Sequence, residues 1–291
     1  MSATAIIFGI NGQDGFYLSR FLESRGVSVI GISRKDISET SGIHNFEWVK
    51  YLIERYQPEY IFHFAAVSTT SHQSLFDNYQ AVSTGAINIL EAAKVVSRRS
   101  KIFISGSGLQ FKNTGLPIKE SDPFEARDAY SLCRIQSAYA ARYYRSLGLK
   151  TYIGYFFNHD SPRRTERHVS KMIANAVKSI AKGEDVKVEI GDISVVKEWT
   201  FAGDIVNAVW TFVQQEEIGE AVLGSGEGYS IMEYIKECFA LIDKDWEDYV
   251  VMQNDFKPEY KRLVSDPSLI YSLGWKPEIS FSGLVKMMIG E

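Results

Sequence analysis

The stretch "AIIFGINGQDGFYLSRFLESRGVSVIGISRKD", Ala5 to Asp36, decides the fold. Its opening, "AIIFGI", is an apolar run of strand type, "GFYLSRFLESRG" has the periodicity of an amphipathic helix closed by Gly26, and "VSVIGIS" is a second strand. Between the first strand and the helix stand Gly9, Gly12 and Gly15. A backbone bare of Cβ atoms at that point permits a tight turn and close approach to a diphosphate, whose charge then sits at the helix N-terminus. A plain strand-to-helix turn also uses glycine, so it is the strand, loop, helix, strand setting that makes the motif informative. The spacing GxxGxxG departs from the GxGxxG of dehydrogenase domains.

At the end of the second strand an NAD-preferring domain usually places an acid for the ribose 2′-hydroxyl. Here Ser33, Arg34 and Lys35 come first, and such groups suit a 2′-phosphate. NADP(H) is therefore favoured. Asp36, one position later, keeps NAD(H) open, and a solvated loop is the bland alternative for the two cations.

Outward from this stretch, strand-like runs alternate with helical ones through "FEWVKYLIERYQP", "EYIFHFAAV", "GAINILEAAKVVSRR", "KIFISGS", "AYSLCRIQSAYAARYYRSLG" and "KTYIGYFF". Near-continuous apolar strands separated by helices mean a parallel sheet covered on both faces. After Phe157 the rhythm loosens into shorter strands and helices. The expected fold is α/β: a Rossmann-type doubly wound parallel sheet over residues 1–160, with a smaller C-terminal α/β substrate lobe over 161–291. The boundary is soft, since no Pro/Ser-rich linker marks it and segments can interleave.

Composition narrows the function classes. At 291 residues and 45% hydrophobic content the chain can bury a large core. A formal net charge of -4 offers no general attraction to nucleic acid. No run reaches the length of a membrane span, and no leader pattern opens the chain, so a cytoplasmic protein is expected. Cys133 and Cys238 make no disulfide framework, and the five histidines show no metal-ligand spacing, so no metal is expected.

With the glycine loop, the Tyr130 segment and "FFNHDSPRR" on the page, the chain resembles the extended short-chain dehydrogenase/reductase superfamily, within it the GDP-mannose 4,6-dehydratase branch. "GINGQDGFYLSRFL" is similar to that branch's glycine loop, "FFNHDSPRR" to its signature, and "SDPSLIYSLGWKP" to its C-terminal motif. The resemblance implies a nucleotide-sugar enzyme with the cofactor in the N-terminal lobe, adding Gln13 and Asp14 of the glycine loop to the cofactor contacts. It also implies a tyrosine acid/base at the C4 oxygen, a serine or threonine beside it, and a lysine four residues after the tyrosine. Carried over, these are Ser107, Tyr130 and Arg134, the last two also holding cofactor. A phenol titrates near 10 and needs a nearby cation to act as a base at neutral pH.

Three departures bear on the reaction. Arg134 stands at the lysine position; it keeps the charge but brings a planar fork that cannot release a proton. Leu109 stands where the family has a glutamate, the extra acid/base a 4,6-dehydratase needs, and the neighbouring amide Gln110 cannot replace it. The chain from Asp36 to Phe46 is too short for the family's extra strand and Asp-Leu adenine contact, leaving His44 and Asn45 as the nearest polar candidates.

On the substrate side the resemblance implies Asn158, followed by Arg163 and Arg164, from the signature, Lys197 and Lys257 at phosphate-binding positions with Arg262 nearby, and Val169 near the base. Met172 replaces a family lysine, so a GDP-linked sugar is favoured through the resemblance alone. Ser68 would line the sugar pocket, while Ala65 and Ala66 would pass under the cofactor where larger side chains collide. The helices at 85–99 and 130–147 would pair with those of a second copy in a homodimer or homotetramer, unless Tyr139, Tyr143 and Tyr144 are internal core.

The expected reaction is NADP-dependent reduction of a 4-keto group on a GDP-linked sugar or deoxysugar, which needs no second carboxylate. The alternatives are a 4,6-dehydratase or epimerase that recruits another acid/base, Asp160 or Glu198 being candidates, and a catalytically impaired cofactor-binding or regulatory homologue, for which Arg134 and Leu109 speak.

Overall fold

The computed structural model describes residues 3–36, 41–253 and 255–290. Its first half follows the alternation of apolar runs: β1 (Thr4–Phe8), α1 (Gln13–Glu23), β2 (Ser28–Ile32), α2 (Phe46–Tyr56) and β3 (Tyr60–His63). Ala5, Ile6 and Ile7 of β1 are wholly buried, as a strand covered on both faces must be. Asn45, an adenine candidate from the sequence, is instead the N-cap of α2: its Oδ1 accepts the Trp48 N–H at 3.0 Å. The helix stops at Gln57, left-handed with φ 41°, just ahead of Pro58.

The next helix begins earlier than the sequence suggests. A short α3 (Leu75–Asn78) and a π turn over Tyr79–Thr84 precede α4 (Gly85–Val96). The wide turn breaks the period that would reveal the helix, and π turns of this kind gather at functional sites. After α4 come β4 (Lys101–Ser107), α5 (Ala129–Ser146) and β5 (Lys150–Phe156). Asp128 caps α5, accepting the Ser131 N–H at 2.7 Å, and that cap places Tyr130 in the first turn.

The second half runs β6 (His159–Asp160), α6 (Val169–Ala181), β7 (Val188–Ile190), β8 (Val196–Glu198), β9 (Thr200–Phe201), α7 (Ala202–Val213) and β10 (Glu220–Leu223). It ends with β11 (Gly228–Ser230), α8 (Ile231–Ala240), β12 (Val250–Met252), β13 (Arg262–Leu263), α9 (Ser268–Ser272) and α10 (Phe281–Ile289). The main sheet has the order β10-β5-β4-β3-β1-β2 and every pairing in it is parallel. A cut at residue 160 therefore does not separate the layers, because β10 returns to pair with β5. Helix α7 returns as well, burying Ile205, Val209 and Phe212 in one cluster with Leu18 and Leu22 of α1. The small lobe has its own core, in which Ile173 and Val177 of α6 meet Trp199, Tyr234, Phe239 and Leu284.

Among the described residues no helix is long and apolar enough to cross a membrane. No group of three or more His, Cys, Asp or Glu side chains could hold a metal ion among them either.

Candidate active site

The strand order reverses between β1 and β3, and in open α/β sheets ligands bind beyond the carboxyl ends of the strands at such a point. Two adjoining cavities, of about 290 and 490 Å3, occupy this crevice. They share Phe64, Ser68, Arg164, Arg167 and His168, and so form one cleft.

The first cavity is lined by Gly9, Gly12, Gln13, Ser33, Arg34, Ala65 and Ala66. Gly9 has φ +97°, and a Cβ there would lie 2.8 Å from the Ala65 nitrogen. On Gly15 a Cβ would lie 2.3 Å from the Gly9 carbonyl oxygen, so this glycine closes the turn from below and does not line the cavity. The bare turn, the start of α1 and the Ser33–Arg34 pair fit a dinucleotide carrying a 2′-phosphate. Lys35 lies outside the lining, with its side chain exposed and its backbone N–H donating to Ser33 Oγ at 3.2 Å. His44 is also outside, whereas Ile32 and Ile43, apolar and overlooked in the sequence, are in the wall.

The second cavity brings Ser107, Tyr130 and Arg134 together. Ser107 ends β4; its N–H donates to Gln110 Oε1 at 2.9 Å and its Oγ accepts the Leu109 N–H at 3.2 Å. Gln110 is thus a buried prop for Ser107, while Leu109 presents its hydrocarbon to the cavity. Arg134 is 4% exposed. Its Nη1 donates to both the carbonyl and, at 2.7 Å, the Oγ of Ser105, and its guanidinium carbon lies 5.0 Å from the centroid of the Tyr130 ring. Ser105 Oγ in turn donates to the His63 carbonyl at 2.7 Å. Burial, then the charge of Arg134, pushes the His63 imidazole down to about 3, so it is neutral and can donate one N–H, from Nε2 to the Val82 carbonyl at 3.3 Å. Ser105 and His63 carried no signal in sequence, one being an ordinary residue inside β4 and the other the last of β3.

The substrate residues divide. Ser68, Asn158 and Lys197 line the second cavity, and Asn158 Oδ1 accepts the Tyr260 hydroxyl at 3.3 Å. Lys197 is 8% exposed with its Nζ 4.2 Å over the Trp199 ring; burial lowers its pKa against the opposing pull of Asp160. Arg163 stacks 3.8 Å over the Phe16 ring and lines the first cavity instead of the second. Val169 packs on the core of the small lobe, Lys257 is exposed away from both cavities, and Arg262 lies beside Gly228 on the far side of β8. Beside Arg134, the cations that line the second cavity are Arg164, Arg167 and Lys197. They come from a loop and from β8, and only the return of the chain joins them.

Neither carboxylate considered in the sequence reaches the cavity. Asp160 is buried against Ser170 (2.8 Å) and Arg164 (3.1 Å); burial alone would raise its pKa, but Arg164 and Lys197 hold it below the usual range. Glu198 is buried and accepts from the N–H and Oγ of Ser265, both at 2.6 Å, and from the N–H groups of Ser225 and Gly226, which makes it a structural anchor. Among the described residues, the carboxylates that line the cavity are Asp14 and Glu259. Glu259 accepts a hydrogen bond from the Thr70 hydroxyl, and shares with Leu109 the wall toward an adjoining recess.

Gln13 lines the first cavity, whereas Asp14, expected with it at the cofactor, lines the second, and both bind the chain that follows β5. Gln13 Nε2 donates to the His159 carbonyl at 3.3 Å, Ser161 Oγ donates to Gln13 Oε1 at 2.7 Å, and Asp14 Oδ1 lies 2.8 Å from His159 Nε2. The glycine loop and the "NHDSPRR" loop are bound to one another.

A sequence profile described as GDP-mannose 4,6 dehydratase matches residues 6–288. GDP-mannose 4,6 dehydratase 2 of Arabidopsis thaliana is 32% identical over 99% of this chain and 86% of its own length. The GDP-mannose 4,6-dehydratase of Vibrio cholerae is 27% identical over 98% and 92%. In three dimensions, RMD from Pseudomonas aeruginosa complexed with NADPH superimposes with a TM-score of 0.87 at 18% identity, covering 99% of this chain and 98% of that one. The UDP-glucose 4-epimerase of Thermus thermophilus in complex with NAD gives 0.83 at 20% identity, covering 98% and 97%. Both likenesses show the Rossmann-type fold.

Proposed function

The chain belongs to the GDP-mannose 4,6-dehydratase family, and from that premise we propose that it removes water from a GDP-linked hexose, leaving a ketone at C4 and a deoxygenated C6, with NADP(H) as its redox partner. The observation that carries this reading is the cleft itself. Tyr130, Ser107 and Arg134 face the cavity that holds Asn158 and Lys197, and that cavity opens onto the one under the glycine loop.

Gly9, Gly12, Gln13, Ser33 and Arg34 would hold NADP(H) in the first cavity, where it would supply hydride chemistry, from C4 at the start and to C6 at the end. The chain supplies the rest. Acting as the base in its deprotonated form, the Tyr130 phenol oxygen takes the proton of the C4 hydroxyl as the ketone forms, and the Ser107 hydroxyl donates to the C4 oxygen. Arg134 holds a buried positive charge against the phenol ring, secured by two bonds to Ser105. Arg164, Arg167 and Lys197 supply cations for the diphosphate. Elimination needs a group that removes the C5 proton and protonates the departing C6 hydroxyl. Leu109 cannot do this, and Glu259 is the cavity carboxylate without an ion pair among the described residues. The net change is loss of one water, with the cofactor restored.

A second reading, reduction of a 4-keto sugar by NADPH, draws support from Leu109, since Tyr130 and Ser107 suffice for it. Mass spectrometry separates the two. Loss of one water from GDP-mannose in the presence of NADP+ supports dehydration; an untouched GDP-mannose, with a 4-keto sugar gaining two hydrogens from NADPH, establishes reduction. A homodimer through α4 and α5 draws support from the exposed Ile87, Val95, Tyr139 and Tyr143, whereas Tyr144 is core.

A further inference from the structure

His159 sits in the short β6 between the glycine loop and the cationic loop, and both of its ring nitrogens face acceptors. Nδ1 lies 2.7 Å from the Phe157 carbonyl and Nε2 lies 2.8 Å from Asp14 Oδ1. A neutral imidazole has one N–H and can satisfy only one of them; the cation donates to both. The pair is shielded, with side-chain exposures of 9% for His159 and 21% for Asp14.

The location gives the pair its consequence. Asp14 stands in the first turn of α1, the end that would cradle a dinucleotide diphosphate, and a bare carboxylate there opposes an anion. An imidazolium cancels that charge. Just beyond His159 the same stretch of chain presents Arg163, Arg164, Arg167 and His168 to the cleft. The Gln13 bonds to the His159 carbonyl and to Ser161 reinforce the junction.

We infer that protonated His159, paired with Asp14, is a positioning residue that locks the diphosphate-binding turn to the cation-bearing loop, so that loss of its proton weakens NADP(H) binding. This rests on the dinucleotide reading of the glycine loop. The groups that face the ring are Asp14 from α1, Asp160 and Arg164 from its own segment, with Lys197 of β8 against Asp160, and from β5 the uncharged ring of Phe156, 5.2 Å away. Burial works against the imidazolium, but the charge and hydrogen bond of Asp14 outweigh it, and the pKa of His159 is raised above its ordinary value. A raised pKa means that the lock is complete at lower pH and is lost as pH rises through the folded-state value.

The test is NADPH affinity by fluorescence titration of the full chain and its Asp14→Asn and His159→Gln variants, from about pH 6 to about pH 9.5. For the wild type Kd should rise about tenfold toward the alkaline end, one logarithmic unit of linkage, while Asp14→Asn stays flat. His159→Gln, which offers at most one of the two bonds, should be flat and weaker by a similar factor. Comparison with the variants cancels the titration of the cofactor's own 2′-phosphate. Parallel rises in wild type and Asp14→Asn, or a flat wild type, would overturn the inference. If the wild type binds no NADPH at any pH, the dinucleotide reading fails, and the lock is judged on the free protein. There the wild-type Tm should fall toward alkaline pH more steeply than that of Asp14→Asn, and equal slopes would overturn it.

Discussion

Replacing Arg134 with lysine installs the residue that the family resemblance places there, and the structure predicts that it lowers activity. The guanidinium makes two bonds to Ser105 from a position 4% exposed and stacks over the Tyr130 ring. A lysine is shorter, has no planar face, and cannot reach the same two acceptors in one geometry. A hydrogen bond to a charged group is worth about 1.5–3 kcal/mol, and stranding the Ser105 acceptor adds to the loss. Losing one of the bonds that hold the cation against the reacting tyrosine corresponds to a fall of roughly 10- to 150-fold in kcat/KM, at 1.36 kcal/mol per factor of ten. The assay is cofactor-linked turnover on the sugar found to be the substrate, with NADPH affinity measured in parallel. Because the lost bond holds the acid/base pair, the fall should appear in kcat more than in KM. A lysine variant that matches or exceeds the wild type would refute the reasoning and mark Arg134 as a decayed lysine.

Gly15→Ala places a Cβ 2.3 Å from the Gly9 oxygen and 2.7 Å from Ile10 Cα, backbone atoms that can only shift together. Overpacking of about 1–3 kcal/mol should lower Tm and, since the cradle moves, weaken NADPH binding at least about tenfold by fluorescence titration. Arg34→Ala should weaken NADPH binding by roughly tenfold or more and leave NADH unchanged, because only the 2′-phosphate loses a charged donor. Glu259→Gln should cut dehydration by roughly 100-fold or more, as expected for a removed general acid/base, while NADPH binding is retained; undiminished water loss by mass spectrometry would exclude Glu259 from the chemistry.

What could be read in advance follows the range of the forces involved. Gly9, Gly12 and Gly15 are legible because the demand for a bare turn is local, and Ser107 and Tyr130 because each follows a strand end or a helix start. Lys257, Arg262 and Val169 were placed by likeness alone, and the structure keeps them out of the cleft. Asn45 and Gln110 look chemically useful in sequence, yet the backbone claims both, one as a helix cap and the other as a prop for Ser107. The return of β10 to the first sheet left no mark, since an apolar run shows that it will be buried but not against which partner.

The amino-acid order alone therefore determined the α/β class, the strand that opens the sheet and the turn that can accept a diphosphate. Periodicity and missing Cβ atoms act over a few neighbouring residues. Tertiary structure decided which charges meet. Glu259 reaches the cavity through Thr70, 189 residues away in sequence, and His159 meets Asp14 across 145. Contacts over such separations depend on how whole layers pack, and a one-dimensional pattern carries no record of that.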